Sequence, residues 1–514
     1  MSSGQKSAGR EFPGHKTIPL ALLVALQGAI SGASLVVEIV AGRMLAPYVG
    51  MSVYTWTSII AVVLGGFSVG HWLGGRIAEK PADRALALTG WLILAAALTT
   101  AIAVQLLYAL AVPVMAAGLG AVWTIVLLSA GVFFLPSLFA GIPAPVLSHV
   151  AVSSAKNGSG RALGAMFAAG AIGAIGGTLL SGFVFIPWLG TAVTLAIVTA
   201  AYGMAAVILF WLSKQAMRGN VALSALALVT LGLAIHSATR PSPCTEESQY
   251  YCIRVFDVSQ EAGQPVNLMV LDHLSHGTSA RDQPRVMHTE FTAMLDGIAR
   301  RRMGEKEFAS FFIGGGTYSV PRAWRDYGTG PITVAEIDPA VTRVAQEHFW
   351  FDSDGVEIVH EDARRALLSR SGKSYDVIVG DAFGDIAVPQ HLVTREFFEL
   401  VRARLSEDGV FVMNVIDFVE QLDALAAIHR TLDSVFPSVE VWTEKTPPQP
   451  GQQRVFVLAA GKSPSGFDAF TAAAPEPKRF AALGWSFTDR VLKARNSFVL
   501  TDDFAPIDRL LAPR

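Results

Sequence analysis

The sequence predicts an α-helical membrane bundle followed by an α/β domain built on a doubly wound sheet. The chain of 514 residues is 52% hydrophobic and 16% charged, and a mean hydropathy of +0.43 is too high for an ordinary soluble protein. Charged residues are absent from residues 85–155 and 162–213. After residue 240, short apolar runs alternate with helical patterns, which is typical of a parallel sheet flanked by helices.

The first domain, residues 1–240, contains enough apolar sequence for about seven membrane spans. A helix needs about 20 apolar residues to cross a bilayer, so each of the two uncharged stretches is long enough for two crossings. Three further apolar runs occupy residues 18–40, 52–75 and 221–235. Small residues at four-residue spacing indicate close helix packing in lipid, and they are Gly66, Gly70 and Gly74 in one segment and Gly173 and Gly177 in another.

The second domain, residues 241–514, begins where two prolines in the sequence RPSPCT at 240–245 prevent a helix from continuing. Apolar runs of strand length follow this proline-containing segment. A small β element is predicted first, over residues 251–258 and 267–272. The doubly wound sheet follows, with strands at 310–313, 332–336, 356–359, 377–380 and 410–415.

Glycines and acids stand at the ends of these predicted strands. The sequence FFIGGG at 311–316 is a strand that enters a glycine turn, and glycine lets the backbone approach a ligand closely. Glu336 ends the next strand, 22 positions after Gly314, where a carboxylate can accept hydrogen bonds from both hydroxyls of a ribose. Asp362 and Asp381 follow the next two strands. The pattern predicts a Rossmann-like, methyltransferase-type domain with a nucleotide site at this edge of the sheet.

The order of these motifs resembles the spermidine synthase (polyamine aminopropyltransferase) family, in particular its membrane-fused branch. The similar segments are IGGG at 313–316, AEIDP at 335–339, EDAR at 361–364, YDVIVGDAF at 375–383 and LSEDGVFVMN at 405–414. Upstream, LDH at 271–273 and HTE at 288–290 are similar to two further motifs of the family. The resemblance covers residues 270–460.

The resemblance implies transfer of an aminopropyl group from decarboxylated S-adenosylmethionine to a small amine, without a metal. Asp381 stands at the position of the central catalytic acid. The amine is expected to contact Glu290, His288, Asp385 and His276. The nucleotide is expected to contact Gly314, Gly315, Gly316, Glu336, Asp338, Asp362 and Ala363. The resemblance is also compatible with a homodimer.

Several positions depart from the family pattern. Thr317 replaces the aspartate that meets the aminopropyl end of the nucleotide, and the spacing of Asp381 and Asp385 is one residue too long. No tyrosine occurs in residues 446–450, and His288 with Thr289 replaces a Tyr-His pair. Because a neutral residue at 317 suits the carboxylated nucleotide, an S-adenosylmethionine-dependent methyltransferase is an alternative.

Other classes of function are limited by composition. The net charge of -2 argues against nucleic acid as a partner, and two cysteines are too few for a Cys-based zinc site. Residues 74–84 are similar to the loop between the second and third helices of major-facilitator transporters. A transporter or scaffold with a non-catalytic synthase-like domain is therefore a further alternative.

The chain is expected to be a multi-pass protein of the cell membrane, and two arguments about its orientation conflict. In a seven-span arrangement one side carries nearly all basic residues, which places it in the cytoplasm: Lys6, Arg10, Lys16, Arg76, Lys80, Arg84, Lys156, Arg161, Lys214 and Arg218. The α/β domain then lies outside, where Cys244 and Cys252 would form a disulfide. The adenosyl nucleotide, however, is made in the cytosol. The prediction leans to the outside, and it reverses if residues 221–235 do not cross.

Overall fold

The computed structural model describes residues 18–155, 158–213, 221–383, 388–447, 449, 451–472, 475–495 and 497–511. The described residues group into two compact units. The first includes Tyr54–Pro241 and the residues up to Leu45, and the second comprises Ala46–Val53 and Ser242–Arg514. The main division lies one residue from the boundary expected from the sequence.

The first unit is helical, because its uncharged apolar stretches satisfy their backbone hydrogen bonds within each helix. Its helices are α1 (Leu20–Val49), α2 (Val53–Ala78), α3 (Ala82–Ala101), α4 (Ala103–Ala116), α5 (Ala121–Gly141), α6 (Pro143–Ser154), α7 (Ser159–Leu180), α8 (Ile186–Leu212) and α9 (Val221–Thr239).

Six helical stretches of the described part are long and apolar enough to cross a membrane, whereas the sequence predicts about seven crossings. The difference arises at Ser159–Leu212, which forms a single helical run of 54 residues. The run contains a π-helical turn at Ser181–Phe185 and non-helical backbone at Gly190. The predicted helical bundle is present, and the number seven is not confirmed.

The glycine series pack helices against each other, as the sequence predicts. A Cβ atom added to Gly70 would lie 2.1 Å from the backbone oxygen of Leu138 in α5. On α7, a Cβ atom on Gly173 or Gly177 would lie 2.0 or 2.2 Å from the backbone oxygen of Gly28 or Gly32 in α1. Side chains at these positions would force the helices apart, so glycine is required for this packing.

The second unit begins with a four-stranded antiparallel sheet, ordered β1-β2-β3-β4. Its strands are β1 (Glu246–Glu247), β2 (Cys252–Asp257), β3 (Val266–Leu271) and β4 (Leu274–Ala280). Cys244 and Cys252 are joined by a disulfide, with their Cα atoms 5.3 Å apart.

A nine-stranded sheet forms the centre of the second unit, in the order β12-β13-β10-β11-β9-β8-β5-β6-β7. Neighbouring strands from β9 to β7 are parallel, and the remaining pairs are antiparallel. The strands are β5 (Ser310–Ile313), β6 (Ile332–Ala335), β7 (Val356–Val359), β8 (Tyr375–Gly380), β9 (Leu405–Phe418), β10 (Ser438–Glu444), β11 (Gln453–Gly461), β12 (Ala469–Ala472) and β13 (Lys478–Ala482).

Helices cover both faces of this sheet, so alternate residues of each strand are buried in different cores. In β5, Phe311 and Ile313 pack in one core while Phe312 packs in the other. The helices are α10 (Ser259–Ala262), α11 (Glu290–Met303), α12 (Ser319–Tyr327), α13 (Pro339–His348), α14 (Ala363–Ser369), α15 (Arg395–Arg404), α16 (Asp423–Asp433), α17 (Trp485–Phe487) and α18 (Ile507–Leu511). This is the mixed α/β architecture that the sequence predicts.

Candidate active site

A cavity of about 520 Å³ lies at the carboxyl ends of the parallel strands. Strands β5, β6, β7 and β8 all end at this edge, so the residues that follow them in sequence meet there. The volume is in the range of small-molecule sites. Most of the site residues predicted from the sequence line this cavity: Gly314, Gly316, Glu336, Asp362, Ala363, Asp381, Glu290, His288 and His276.

The glycine turn brings the backbone of β5 close to that of β8. Gly314 has a φ of 91°, and a Cβ atom there would lie 2.6 Å from the backbone oxygen of Asp381. A side chain would therefore separate the turn from the catalytic candidate. The amide of the next residue, Gly315, donates a hydrogen bond to the Glu336 carboxylate.

Glu336 is buried under the glycine turn and faces the cavity. Its two oxygens accept hydrogen bonds from the amides of Gly315 and Asp338, at 2.8 and 2.9 Å. Burial raises the pKa of Glu336 to about 7, and the two amides partly oppose that shift. The carboxyl group is thus held in one orientation by backbone on both sides.

Asp338 does not line the cavity, although the sequence predicts it as a nucleotide ligand. Its carboxylate caps α13 by accepting a hydrogen bond from the Ala340 amide at 2.9 Å. The Ser248 hydroxyl donates to the same carboxylate. Asp338 thus caps a helix in this structure, and its oxygens bind the start of α13 and the chain before β2.

Asp362 lies at the start of α14 and pairs with a histidine that the sequence reasoning missed. One oxygen accepts a hydrogen bond from the Arg365 amide at 3.0 Å, and the other lies 2.6 Å from Nε2 of His391. The hydrogen bond with His391 is the main reason why the pKa of Asp362 is lowered. His391 also lines the cavity. It lies in a 3-10 turn, Gln390–Leu392, 29 residues after Asp362, and no pattern in the sequence indicated it.

Asp381 follows β8, and its side chain is only partly exposed. Nδ2 of Asn414 donates a hydrogen bond to Oδ1 of Asp381 at 3.0 Å. Burial raises the pKa of Asp381 to about 7, and the Asn414 hydrogen bond opposes the shift. A carboxyl group with this pKa can accept a proton near neutral pH, as a general base must.

Asn414 follows Met413, which pairs with Gly380 in the neighbouring strand. Asn414 ends the motif LSEDGVFVMN at 405–414, which predicts a strand but no role for Asn414 itself. Strand register places it beside Asp381.

The predicted acceptor residue Glu290 lines the cavity together with a lysine that was not predicted. Glu290, expected to bind the far end of the amine, accepts a hydrogen bond from Nζ of Lys478 at 2.7 Å. Sequence reasoning missed Lys478, which begins β13 and also lines the cavity.

The predicted histidines of the cavity are partly buried. Nδ1 of His276 donates a hydrogen bond to the Leu274 carbonyl oxygen at 2.9 Å, and burial lowers the pKa of His276 to about 4. Burial also lowers the pKa of His288. Within the described part of the chain, Nε2 of each ring has no hydrogen-bond partner. Buried polar atoms are usually satisfied, and these two are exceptions on residues that line the cavity. Asp385 lies outside the described residues.

Thr317 does not reach the cavity. It is 2% exposed and packs against Gly277, where an added Cβ atom would lie 2.6 Å from its hydroxyl oxygen. The next residue, Tyr318, adopts a left-handed conformation and is the N-cap of α12. The expectation that Thr317 faces the nucleotide is therefore wrong, because the turn directs its side chain towards β4.

Fold and site together define an α/β domain with a cavity and acids at the ends of successive strands. Residues 309–468 match the family model of the spermine/spermidine synthase domain. The chain therefore contains a region similar to this domain, and the resemblance carried by the sequence motifs is confirmed for it.

Three relatives show how far the similarity extends. A polyamine aminopropyltransferase of Vibrio vulnificus is 33% identical over 25% of this chain and 44% of its own length. An N-terminal histidine N-methyltransferase of Emericella nidulans is 34% identical over 30% of this chain and 27% of its own length. Polyamine aminopropyltransferase 2 of Streptomyces coelicolor is 26% identical over 84% of this chain and 82% of its own length. This chain thus spans less than half of the first two relatives.

Proposed function

We propose that the protein is a membrane-bound, aminopropyltransferase-like enzyme that transfers an aminopropyl group from decarboxylated S-adenosylmethionine to a polyamine or related amine. The main support is Asp381, a carboxyl group with a pKa of about 7 in a cavity that Glu336 and Asp362 also line. The family match of residues 309–468 gives the same class of reaction.

The proposed reaction is an in-line displacement. The amine nitrogen attacks the methylene carbon beside the sulfonium, the carbon–sulfur bond breaks, and its electron pair stays on sulfur to give methylthioadenosine. The attacking amine loses a proton, which Asp381 accepts. Asn414 holds the Asp381 carboxyl group in place through its 3.0 Å hydrogen bond. The site contributes positioning and one proton acceptor, which is the help that such a displacement needs.

The nucleoside is assigned to the residues around the glycine turn. Glu336 receives the ribose hydroxyls, since its oxygens face the cavity while the Gly315 and Asp338 amides fix their direction. Asp362 receives the adenine amino group, and His391 orients its carboxylate from 2.6 Å away. Gly314 and Gly316 allow the turn to approach the nucleoside closely.

Product analysis tests this proposal. The purified full chain is incubated with decarboxylated S-adenosylmethionine and a panel of amines, and products are identified by mass spectrometry. We expect methylthioadenosine together with an acceptor heavier by one aminopropyl group. Methylthioadenosine production that is absent for every amine, with intact nucleoside binding, would contradict the catalytic proposal.

A methyltransferase is the second candidate, because the relative from Emericella nidulans is named an N-methyltransferase. Thermal unfolding separates the candidates, since a bound ligand raises the melting temperature. The aminopropyltransferase proposal predicts the larger rise with decarboxylated S-adenosylmethionine. A larger rise with the carboxylated nucleotide would favour the methyltransferase.

We also propose that the α/β domain lies on the non-cytoplasmic side of a cell membrane that the apolar helices span. The disulfide between Cys244 and Cys252 supports this placement, because disulfides persist in oxidising compartments. Thiol labelling of intact cells tests it. We expect both cysteines to react from outside after mild reduction with a membrane-impermeant reductant. Free thiols that react only after lysis would refute the placement.

A further inference from the structure

The ion pair between Lys478 and Glu290 stands where the proposed function needs an anchor for the acceptor. Nζ of Lys478 lies 2.7 Å from Oε1 of Glu290. The two side chains are 39% and 34% exposed, and both line the cavity that contains Asp381. An ammonium group of the protein itself is therefore bound to the acid that would hold an ammonium group of the substrate.

The same pair also lies at the boundary of a second cavity. This cavity has a volume of about 390 Å³. It shares His288, Thr289, Glu290 and Lys478 with the cavity that contains Asp381. A long acceptor that extended away from Asp381 past Glu290 would meet the Lys478 ammonium before it entered the second cavity.

Charges around the pair hold Lys478 in its cationic form. The hydrogen bond with Glu290 is the main reason why the pKa of Lys478 is raised, and the charges of Glu444 and Glu476 act in the same direction. A partly exposed ion pair of this kind contributes little to stability. Its larger effect is on binding, because two like charges brought together in an interface oppose association.

We propose that Lys478 is a specificity-determining residue that excludes a second ammonium group from the Glu290 subsite. This inference rests on the proposed function and narrows its acceptor from a polyamine to a related amine without a second ammonium group. The acceptor then carries its positive charge at the reacting amine, and the part that reaches Glu290 is uncharged or anionic. Lys478 acts as a built-in competitor for diamines, and its removal converts the site into one that prefers them.

Two amines with the same four-carbon chain test the inference: putrescine, with an amine at each end, and n-butylamine, with one. Their dissociation constants are measured by calorimetry on the full chain in detergent, saturated with methylthioadenosine. In the wild type we expect n-butylamine to bind at least as tightly as putrescine. Lys478→Met should bind putrescine about tenfold more tightly and leave n-butylamine unchanged, since only putrescine gains an ion pair with Glu290.

Two further variants serve as controls. Lys478→Arg keeps the positive charge and should behave as the wild type. Lys373→Met makes the same chemical change in a Lys–Glu pair outside the cavity, where Nζ of Lys373 lies 3.0 Å from Glu357, and should leave both amines unaffected. Unchanged stabilisation by methylthioadenosine shows that each variant is folded.

The outcomes separate this inference from the proposed function. A wild type that prefers putrescine at least tenfold, or a Lys478→Met variant without a gain for putrescine, overturns the inference alone. Binding of neither amine to any variant, with methylthioadenosine still bound, overturns the inference and the proposed aminopropyl transfer together. A putrescine gain that appears in Lys478→Met and not in Lys478→Arg supports both.

Discussion

The two sides of the cavity are built in different ways. On the nucleoside side, Glu336 and Asp362 come directly after parallel strands, and backbone amides hold both carboxylates. On the acceptor side, Glu290 begins a helix, and its partner Lys478 comes from an antiparallel strand 188 residues later. The nucleoside side is built from residues that follow strand ends, whereas the acceptor side is built from two segments that are distant in the sequence.

This difference shows which part of such a site can change its specificity. Glu336 shares its oxygens with the main chain, so a substitution there disturbs the glycine turn as well as the ligand. Lys478 touches its partner through one side-chain contact and can be exchanged with little effect on the fold. The residues at the strand ends are therefore difficult to replace, whereas a substitution at Lys478 can change which acceptor binds.

The largest effect is expected at Asp381, where the two sides meet. Asp381→Asn should lower kcat by about 10² to 10⁴-fold through loss of the general base, while the affinity for methylthioadenosine stays within about twofold, since the nucleoside contacts assigned to Glu336 and Asp362 remain. Steady-state kinetics and calorimetry measure the two quantities. Asp408→Asn, the same change at an exposed residue, is the control and should leave both kcat and the affinity for methylthioadenosine unchanged.

The Asn variant should also be no less stable than the wild type at pH 8. An unfolded aspartate ionises near pH 4, whereas the folded Asp381 ionises near pH 7, so the wild type loses stability as pH rises through this window. Retained turnover in a folded Asn variant would remove Asp381 as the base.

The nucleoside side is tested next by Glu336→Gln. Loss of charged hydrogen bonds to the ribose should weaken methylthioadenosine binding by about 10 to 100-fold, with little effect on amine binding to the saturated protein. The matched control is Glu361→Gln, since Glu361 also lines the cavity but pairs with Arg365 and Arg370. Equal losses in both variants would mean that general charge, rather than the position of Glu336, governs affinity.

The dependence of kcat on pH gives a third test, which distinguishes the proposed general base, Asp381, from the proposed ribose-binding residue, Glu336. Because Asp381 must be ionised to accept a proton, kcat should fall by about tenfold for each pH unit below 7. Asn414→Leu removes the hydrogen bond that lowers the pKa of Asp381, so the profile should move to higher pH. If kcat and the affinity for methylthioadenosine instead changed with pH in the same way, the titrating group would be Glu336, whose pKa is also about 7.

The smallest effect is expected at the adenine end. Asp362→Asn should weaken methylthioadenosine binding by about three to tenfold and reduce discrimination against the inosine analogue, since one charged hydrogen bond is lost. His391→Ala should produce part of this effect by leaving Asp362 unoriented. If both variants kept full selectivity for adenine, the adenine ring would have to bind elsewhere in the cavity.

The sequence predicts the strands of the parallel sheet closely, and it predicts the acids at their ends. Residues 310–313 and 356–359 form strands at the predicted positions. Strands β10 to β13 were not predicted, and neither was Lys478 on the last of them. Asp338 shows the limit of motif reasoning, because a carboxylate that stands next to a ligand position in sequence can satisfy a helix start instead.

By itself the sequence determined the apolar helices, the alternation of strand and helix, and the glycines and acids at strand ends, because each of these depends on neighbours a few residues apart. The tertiary structure alone decided that Asn414 lies beside Asp381, His391 beside Asp362, and Lys478 beside Glu290. These partners are 33, 29 and 188 residues apart. Their meeting depends on strand order, register and loop path, which no local pattern encodes.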